Sequence, residues 1–141
     1  MKPRIAPTLA AAILAALPAA AGNQNGYTLS VVVDGSDRPE YAARNTTYVE
    51  ALKGREYSLR VTNPFPYRVA VALSVDGLNT IDAKHTDAWS ARKWVIEPYG
   101  SIVLDGWQVN DSTARHFVFT GERESYGAFL GKTQNLGAIE A

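Results

Sequence analysis

Apolar and polar residues alternate along two neighbouring stretches of the chain. In residues 57–62, and again in residues 67–75, every second side chain is large and apolar. A period of two is typical of a half-buried strand, because successive side chains point to opposite faces of a sheet. The two prolines in residues 63–66 predict a turn between these strands. Asp76 and Gly77 predict a second turn after them.

Further strand-like runs flank this pair. They lie at residues 27–33, 46–52, 94–96, 101–105, 107–109 and 115–120. Gly106 interrupts two of these runs, which predicts a bulge or bend. For residues 125–141 we expect a loop and one short strand near Ala138 and Ile139. No window has the sustained spacing of an amphipathic helix.

This pattern predicts an all-β fold. Seven or eight short strands separated by turn residues are typical of a single antiparallel β-sandwich, of the jelly-roll or Ig-like kind. Closure into a barrel is the second architecture that the pattern allows.

The N-terminus has a different pattern. Lys2 and Arg4 precede an almost wholly apolar run at residues 5–17, and Pro18 and three alanines follow. This order predicts a signal peptide over residues 1–21, cleaved after Ala21, and a β-sandwich domain over residues 22–141. The alternative is an alanine-rich first helix of the domain. The apolar run is shorter than the roughly 20 residues of a membrane-spanning helix. We therefore expect an exported protein of the periplasm, the cell surface or the medium, with no membrane span in the mature chain.

Composition narrows the function. Lys and Arg number 14, as do Asp and Glu, and without Lys2 and Arg4 the basic count falls to 14 − 2 = 12. A balanced or slightly acidic chain lacks the basic surplus that nucleic-acid binding needs. The absence of cysteine excludes disulfides, thiolate metal sites and a cysteine nucleophile. We expect no cofactor.

Candidate binding residues lie in or near residues 78–93, the longest stretch without strand periodicity. They are Asp76, Asn79, Asp82, His85, Asp87, Trp89 and Tyr99. Asp and Asn oxygens are ligands for hard cations, but the spacing does not match a calcium-binding loop. Both residue types are also common in turns, so we favour turns and predict no metal.

A catalytic interpretation concerns the same stretch. His85 with Asp82 or Asp87 could supply a base and its orienting carboxylate for Thr86 or Ser90. No nucleophile-elbow motif accompanies them, so we assign no catalytic residue.

The aromatic residues divide into two groups. Trp94 and Trp107 are predicted to be core residues, because each lies beside alternating apolar positions. Trp89 and Tyr99 lie in turns, where exposed rings could stack on sugars.

Several motifs carry a resemblance to a protein family. They are residues 68–79 with the turn Val75-Asp76-Gly77-Leu78-Asn79, Trp94 with residues 96–99, Gly106-Trp107, residues 114–119 and Ser125-Tyr126-Gly127. Together they resemble a group of uncharacterised exported bacterial β-domain proteins, over about residues 46–139. The resemblance implies a secreted or periplasmic β domain and no particular activity.

The sequence thus favours an exported, non-enzymatic binding or scaffold domain. Its partner would be a protein or another copy of the chain, reached by strand addition at a sheet edge. One alternative is a carbohydrate-binding module, whose glycan partner would meet Trp89 and Tyr99. The other is a small hydrolase that uses His85 and Asp87.

Overall fold

The computed structural model describes residues 18–19 and 22–141. The predicted signal peptide, apart from Pro18 and Ala19, lies outside the described residues. The described strands are β1 (Pro18–Ala19), β2 (Gly22–Gln24), β3 (Tyr27–Val33), β4 (Ser36–Asp37), β5 (Glu40–Ala43), β6 (Thr46–Val49), β7 (Glu56–Thr62), β8 (Val69–Val71), β9 (Ser74–Val75), β10 (Leu78–Asn79), β11 (Trp94–Ile96), β12 (Ser101–Leu104), β13 (Gly106–Asn110), β14 (Thr113–Val118) and β15 (Ile139–Glu140). A 3₁₀ turn at Glu122–Glu124 and the short helix α1 (Tyr126–Phe129) precede β15.

The largest sheet has seven strands. Its main order is β13-β14-β7-β3-β2, with β12 also paired to β7 and β4 to β3. The three smaller sheets have the orders β1-β5-β6, β10-β9-β15 and β11-β8. Every described pairing is antiparallel.

These sheets confirm the predicted all-β, antiparallel fold. Within the described residues the ends of the large sheet, β13 and β2, do not pair with each other, so this sheet is open. The strands are divided among four sheets, and a single two-sheet sandwich stays a prediction.

The core lies on one face of the large sheet. Strands β3, β7, β13 and β14 supply five of its nine side chains, and the other four come from β9, β10, β11 and Leu73, which lies between β8 and β9. The buried cluster consists of Val31, Leu59, Val61, Leu73, Val75, Leu78, Ile96, Trp107 and Phe117. Alternation puts these side chains on the inner face, as the period of two predicted.

The strands are shorter and more numerous than the seven or eight predicted. Residues 67–75 keep their alternation but form two strands, β8 and β9, because the chain leaves one small sheet for another. The expected loop after residue 125 contains α1 as well as β15. A helix of four residues is too short to show a periodic pattern in the sequence.

Gly106 marks the predicted bend. The chain pairs with β7 as β12, then leaves it and pairs with β14 as β13. A Cβ at Gly106 would lie 2.0 Å from the Arg115 carbonyl oxygen, so no other residue fits there without a shift of the backbone. The Phe117 amide donates to the Asp105 carbonyl at 2.8 Å and holds the strands together at the bend.

No helix in residues 18–19 and 22–141 is long and apolar enough to cross a membrane.

Candidate functional site

Asn79 is the central polar residue of the loop that follows β10. Its side chain is only 4% exposed. The amide nitrogen donates to the Arg92 carbonyl at 2.8 Å, and the amide oxygen accepts from the Ile81 N–H at 2.8 Å. Both hydrogen-bonding groups of the side chain are therefore used to hold the loop.

The neighbouring acids are used in the same way. Asp82 accepts from the Lys84 N–H at 3.1 Å, and Asp87 accepts from the Ser90 N–H at 2.9 Å. The Ser90 hydrogen bonds lower the pKa of Asp87 below its ordinary value. These are side-chain turns of the kind that Asp commonly makes.

His85 is bound to the β9–β10 turn. Its Nδ1 lies 2.9 Å from the Gly77 carbonyl oxygen. His85 therefore bonds to Gly77, whereas Asp87 bonds to Ser90. The predicted base and its predicted orienting carboxylate have different hydrogen-bond partners. No group of three or more potential metal ligands lies close together within the described residues.

The predicted core positions of Trp94 and Trp107 and the predicted exposure of Trp89 and Tyr99 are confirmed, while sugar stacking stays a prediction. Trp107 is buried, and Trp94 packs partly buried against the core, with its indole N–H donated to Thr80 Oγ1 at 2.9 Å. Trp89 is 91% exposed and Tyr99 is 70% exposed.

Asp76 lies in different surroundings from the other candidates. It occupies the predicted two-residue turn between β9 and β10, where Asp76 and Gly77 both have positive φ. Its Oδ1 accepts from the Gly137 N–H at 2.6 Å, and its own N–H donates to the Ala138 carbonyl. Burial raises the pKa of Asp76, although the Gly137 hydrogen bond acts in the opposite direction.

Asp76 lines a groove of about 760 Å³ that the sequence did not indicate. One wall is β6, all four residues of which line it, and the facing wall is residues 136–140, which include β15. We call this the β6–β15 groove. Of the seven residues that the sequence singled out, Asp76 alone lines it among the described residues. The other six do not line the groove, and a binding role for them stays a prediction.

Each wall includes an edge strand of a small sheet. Strand β6 pairs with β5 alone, and β15 pairs with β9 alone, within the described residues. The groove thus lies between two edge strands.

The lining is largely apolar and includes four acidic side chains, of which the exposed Glu122 and Glu140 form what we call its acidic margin. Its apolar part includes Leu29, Val31, Tyr57, Val75, Phe119 and Ile139. The charged side chains that line it in the described chain are all acidic: Glu40, Asp76, Glu122 and Glu140. Burial, with Asp76 nearby, raises the pKa of the Tyr57 hydroxyl well above its ordinary value, so this hydroxyl stays protonated.

Glu40 is the most buried of these acids, with only 4% of its surface exposed. Its Oε2 has no hydrogen-bond partner among the described residues. Burial raises the pKa of Glu40, while a hydrogen bond from the Gly22 backbone lowers it and nearby Asp37 raises it further.

A smaller cavity of about 190 Å³ adjoins the groove. It shares Asp76 and Ser125 with the groove and extends to Trp107 and Arg115. Ser125 is not available as a nucleophile there, because its hydroxyl donates to Glu122 O and accepts from Ala128 N–H as the cap of α1.

Sequence reasoning missed the groove because its walls come from distant segments. Strand β5 was not predicted, and Glu40 was not singled out. The sequence did contain one signal of the β5–β6 hairpin, because Asn is a common turn residue. Arg44 and Asn45 have positive φ and form the turn between Tyr41 and Tyr48, which are paired residues of the two strands.

Comparison of the chain with protein-family models, with curated proteins and with solved structures gives no significant match. The resemblance to exported bacterial β-domain proteins therefore stays a prediction.

Proposed function

We propose that the chain is an exported binding domain whose β6–β15 groove receives an extended segment of a protein partner. The observation that supports this most is the position of an apolar groove between two edge strands. An extended segment placed there would hydrogen-bond to exposed backbone groups, as in other cases of strand addition.

The acidic margin restricts which extended segments the groove would bind. Apolar side chains of the segment would pack on the partly buried Phe119 and Ile139, and every second residue would face that surface. Glu122 and Glu140 are both exposed at the groove and would attract a basic residue of the segment. The favoured ligand is thus an extended apolar segment that carries a Lys or Arg.

Peptide binding tests this proposal. The probe is a dye-labelled hexapeptide that alternates valine with threonine and carries one lysine, and the measurement is fluorescence anisotropy. We expect saturable binding by this peptide and at least tenfold weaker binding when its lysine is replaced by glutamate. A peptide with proline in place of valine should not bind, since proline cannot complete a strand ladder. Equal binding of all three peptides would overturn the proposal.

Two tryptophan variants locate the binding. Ala51→Trp fills the groove from an exposed lining position and should weaken binding at least tenfold. Ala43→Trp is the matched control, since Ala43 is also exposed but alternation places it on the face of β5 opposite Glu40. Equal effects of the two variants would contradict binding in the groove.

Export has its own test. After expression in a bacterium, the intact mass of the protein recovered from the periplasm should correspond to residues 22–141. An unprocessed mass, or retention of the protein in the cytoplasm, would overturn export without affecting the peptide result.

A glycan partner is the second candidate, and the near-complete exposure of Trp89 favours it. Glycans that stack on this ring should quench tryptophan fluorescence, and Trp89→Ala should abolish the effect. Quenching that persists in Trp89→Ala would exclude Trp89 as the glycan site.

A further inference from the structure

Glu40 needs a positive partner that the described side chains do not provide. Its carboxyl group is buried and Oε2 is unpaired. A buried carboxylate without a partner is costly, and a compensating cation within hydrogen-bond distance removes much of that cost. Two arginines of neighbouring segments bind other acids: Arg38 pairs with Glu50 at 3.1 Å through Nη2, while its buried Nε bonds to no group of the described residues, and Arg60 pairs with Asp37 at 2.7 Å.

The main chain of Gly22 lies beside the Glu40 carboxyl group. Its backbone already hydrogen-bonds to the Glu40 carboxyl group. A Cβ built on Gly22 would lie 3.9 Å from Oε2, so the Gly22 backbone and this oxygen are near neighbours. Pairing of β2 with β3, including Gly22 with Leu29, fixes the position of that backbone.

Gly22 is also the residue that follows the predicted cleavage site. Hydrolysis of the Ala21–Gly22 peptide bond consumes one water and leaves a carboxylate on Ala21 and an amine on Gly22. That amine takes up a proton at neutral pH, since an ordinary α-amino group has a pKa of about 8. An amide with one N–H donor thus becomes an ammonium group with three donors and a full positive charge.

We propose that the α-ammonium group of Gly22, released by cleavage after Ala21, forms a buried ion pair with Glu40 in the mature protein. The inference rests on the proposed export of the chain, but not on the ligand of the groove. Removal of the signal peptide would then be a maturation step, because it creates an ion pair between Gly22 and Glu40, two residues that line the β6–β15 groove.

The same cleavage also changes the edge of the small sheet. Strand β1 pairs with Glu40 and Tyr41 of β5, and it belongs to the segment that cleavage removes. The mature domain therefore loses this pairing at the position where it gains the ion pair. Glu40 is the residue at which the two effects meet.

The test is the titration of the Gly22 α-amino group in the processed protein. The protein is recovered from the periplasm, its mass is measured, and the rate of acetic anhydride labelling at Gly22 is followed against pH by mass spectrometry. Only the free amine reacts. An ion pair that raises the pKa of this group by one unit lowers the rate at pH 7 about tenfold compared with an ordinary α-amino group.

Two variants make the result specific. Glu40→Gln should restore ordinary labelling at Gly22, whereas Glu50→Gln, a nearby exposed glutamate, should leave the slow rate unchanged. If Glu40→Gln does not fold, an alanine inserted after Ala21 keeps Glu40 but moves the ammonium group by one residue, and it should also restore ordinary labelling.

Three outcomes would overturn the inference. They are ordinary labelling of the wild type, slow labelling that persists in both altered chains, or a mass that shows cleavage elsewhere. None of them bears on peptide binding in the groove, so failure of this inference and failure of the proposed ligand are distinguishable.

Discussion

The loop after β10 and the β6–β15 groove both contain several polar side chains, yet they use them differently. In the loop, Asn79, Asp82 and Asp87 accept hydrogen bonds from backbone N–H groups within three residues along the chain. In the groove, Asp76 bonds to Gly137, 61 residues away, and Glu40 has an unpaired oxygen among the described residues. The polar groups of the loop hold their own segment together, whereas those of the groove bond to a distant segment or lack a partner among the described residues.

The two regions also differ in shape. The loop exposes Trp89 on an outer surface, while the groove lies between two strands and has an apolar lining. The loop could stack its exposed ring on a flat ligand, whereas the groove could bind an extended polypeptide segment.

Replacing Asn79 tests the structural role of the loop most strongly. Asn79→Ala leaves the Ile81 N–H and the Arg92 carbonyl without their partner in a buried place, which should cost about 2–3 kcal/mol. We expect the melting temperature to fall by roughly 10 °C in calorimetry. Asp82→Ala, the control, removes one hydrogen bond and should cost less than about 1 kcal/mol. An Asn79→Ala variant as stable as the wild type would contradict a structural role for these hydrogen bonds.

The two exposed carboxylates of the groove, Glu122 and Glu140, should matter for binding and not for folding. Glu122→Gln combined with Glu140→Gln should weaken the lysine peptide about fivefold, since exposed charge pairs contribute up to about 1 kcal/mol each. The effect should shrink in high salt, and anisotropy titrations at two salt concentrations measure it. Glu56→Gln, an exposed glutamate outside the groove lining, is the control. No change in affinity would show that the acidic margin does not select the ligand.

The two regions should respond to pH with opposite signs. Burial raises the pKa of Asp76 above 3.8, so its contribution to stability is complete below pH 3.8 and is lost as the pH rises through the folded value. Hydrogen bonds lower the pKa of Asp87, so its contribution is present above pH 3.8 and is lost as the pH falls through the folded value.

Urea unfolding of Asp76→Asn and Asp87→Asn between pH 3 and pH 7 tests these signs. With rising pH, the stability of wild type relative to Asp76→Asn should decrease, and relative to Asp87→Asn it should increase. Parallel changes in the two variants would contradict the distinction between the regions.

The smallest effect is expected at Trp89. Its ring is almost fully exposed, so Trp89→Ala should change the free energy of unfolding by less than about 0.5 kcal/mol. Peptide affinity should also be unchanged, because Trp89 does not line the groove. Fluorescence anisotropy would detect a loss of peptide binding in this variant, and such a loss would contradict the prediction that the loop takes no part in binding the peptide.

Local patterns in the sequence predicted much of the fold. The alternation in residues 57–62 and 67–75 identified β7 and the inner faces of β8 and β9. The Asp76-Gly77 turn and the bend at Gly106 were predicted because their backbone requirements are local. The number of strands was wrong, since two-residue strands are defined by their partners and not by their own pattern.

The groove could not be predicted in this way. Its lining joins Leu29, Tyr48, Val75 and Ile139, and no periodicity within one segment relates them. The stretch at residues 78–93 attracted attention because it is polar and irregular. Its polar residues proved to be turn residues in large part, which the turn preference of Asp and Asn already favoured.

The pairing of β15 with β9 has a consequence for the order of events during synthesis. Ile139 pairs with Val75, so this wall of the groove exists only after 64 further residues have been made. The β9–β10 hairpin can form as soon as it emerges, whereas the β15 wall has to wait for residues 136–140. A chain interrupted before residue 136 would lack this wall, and we expect it to lose the proposed peptide binding as well.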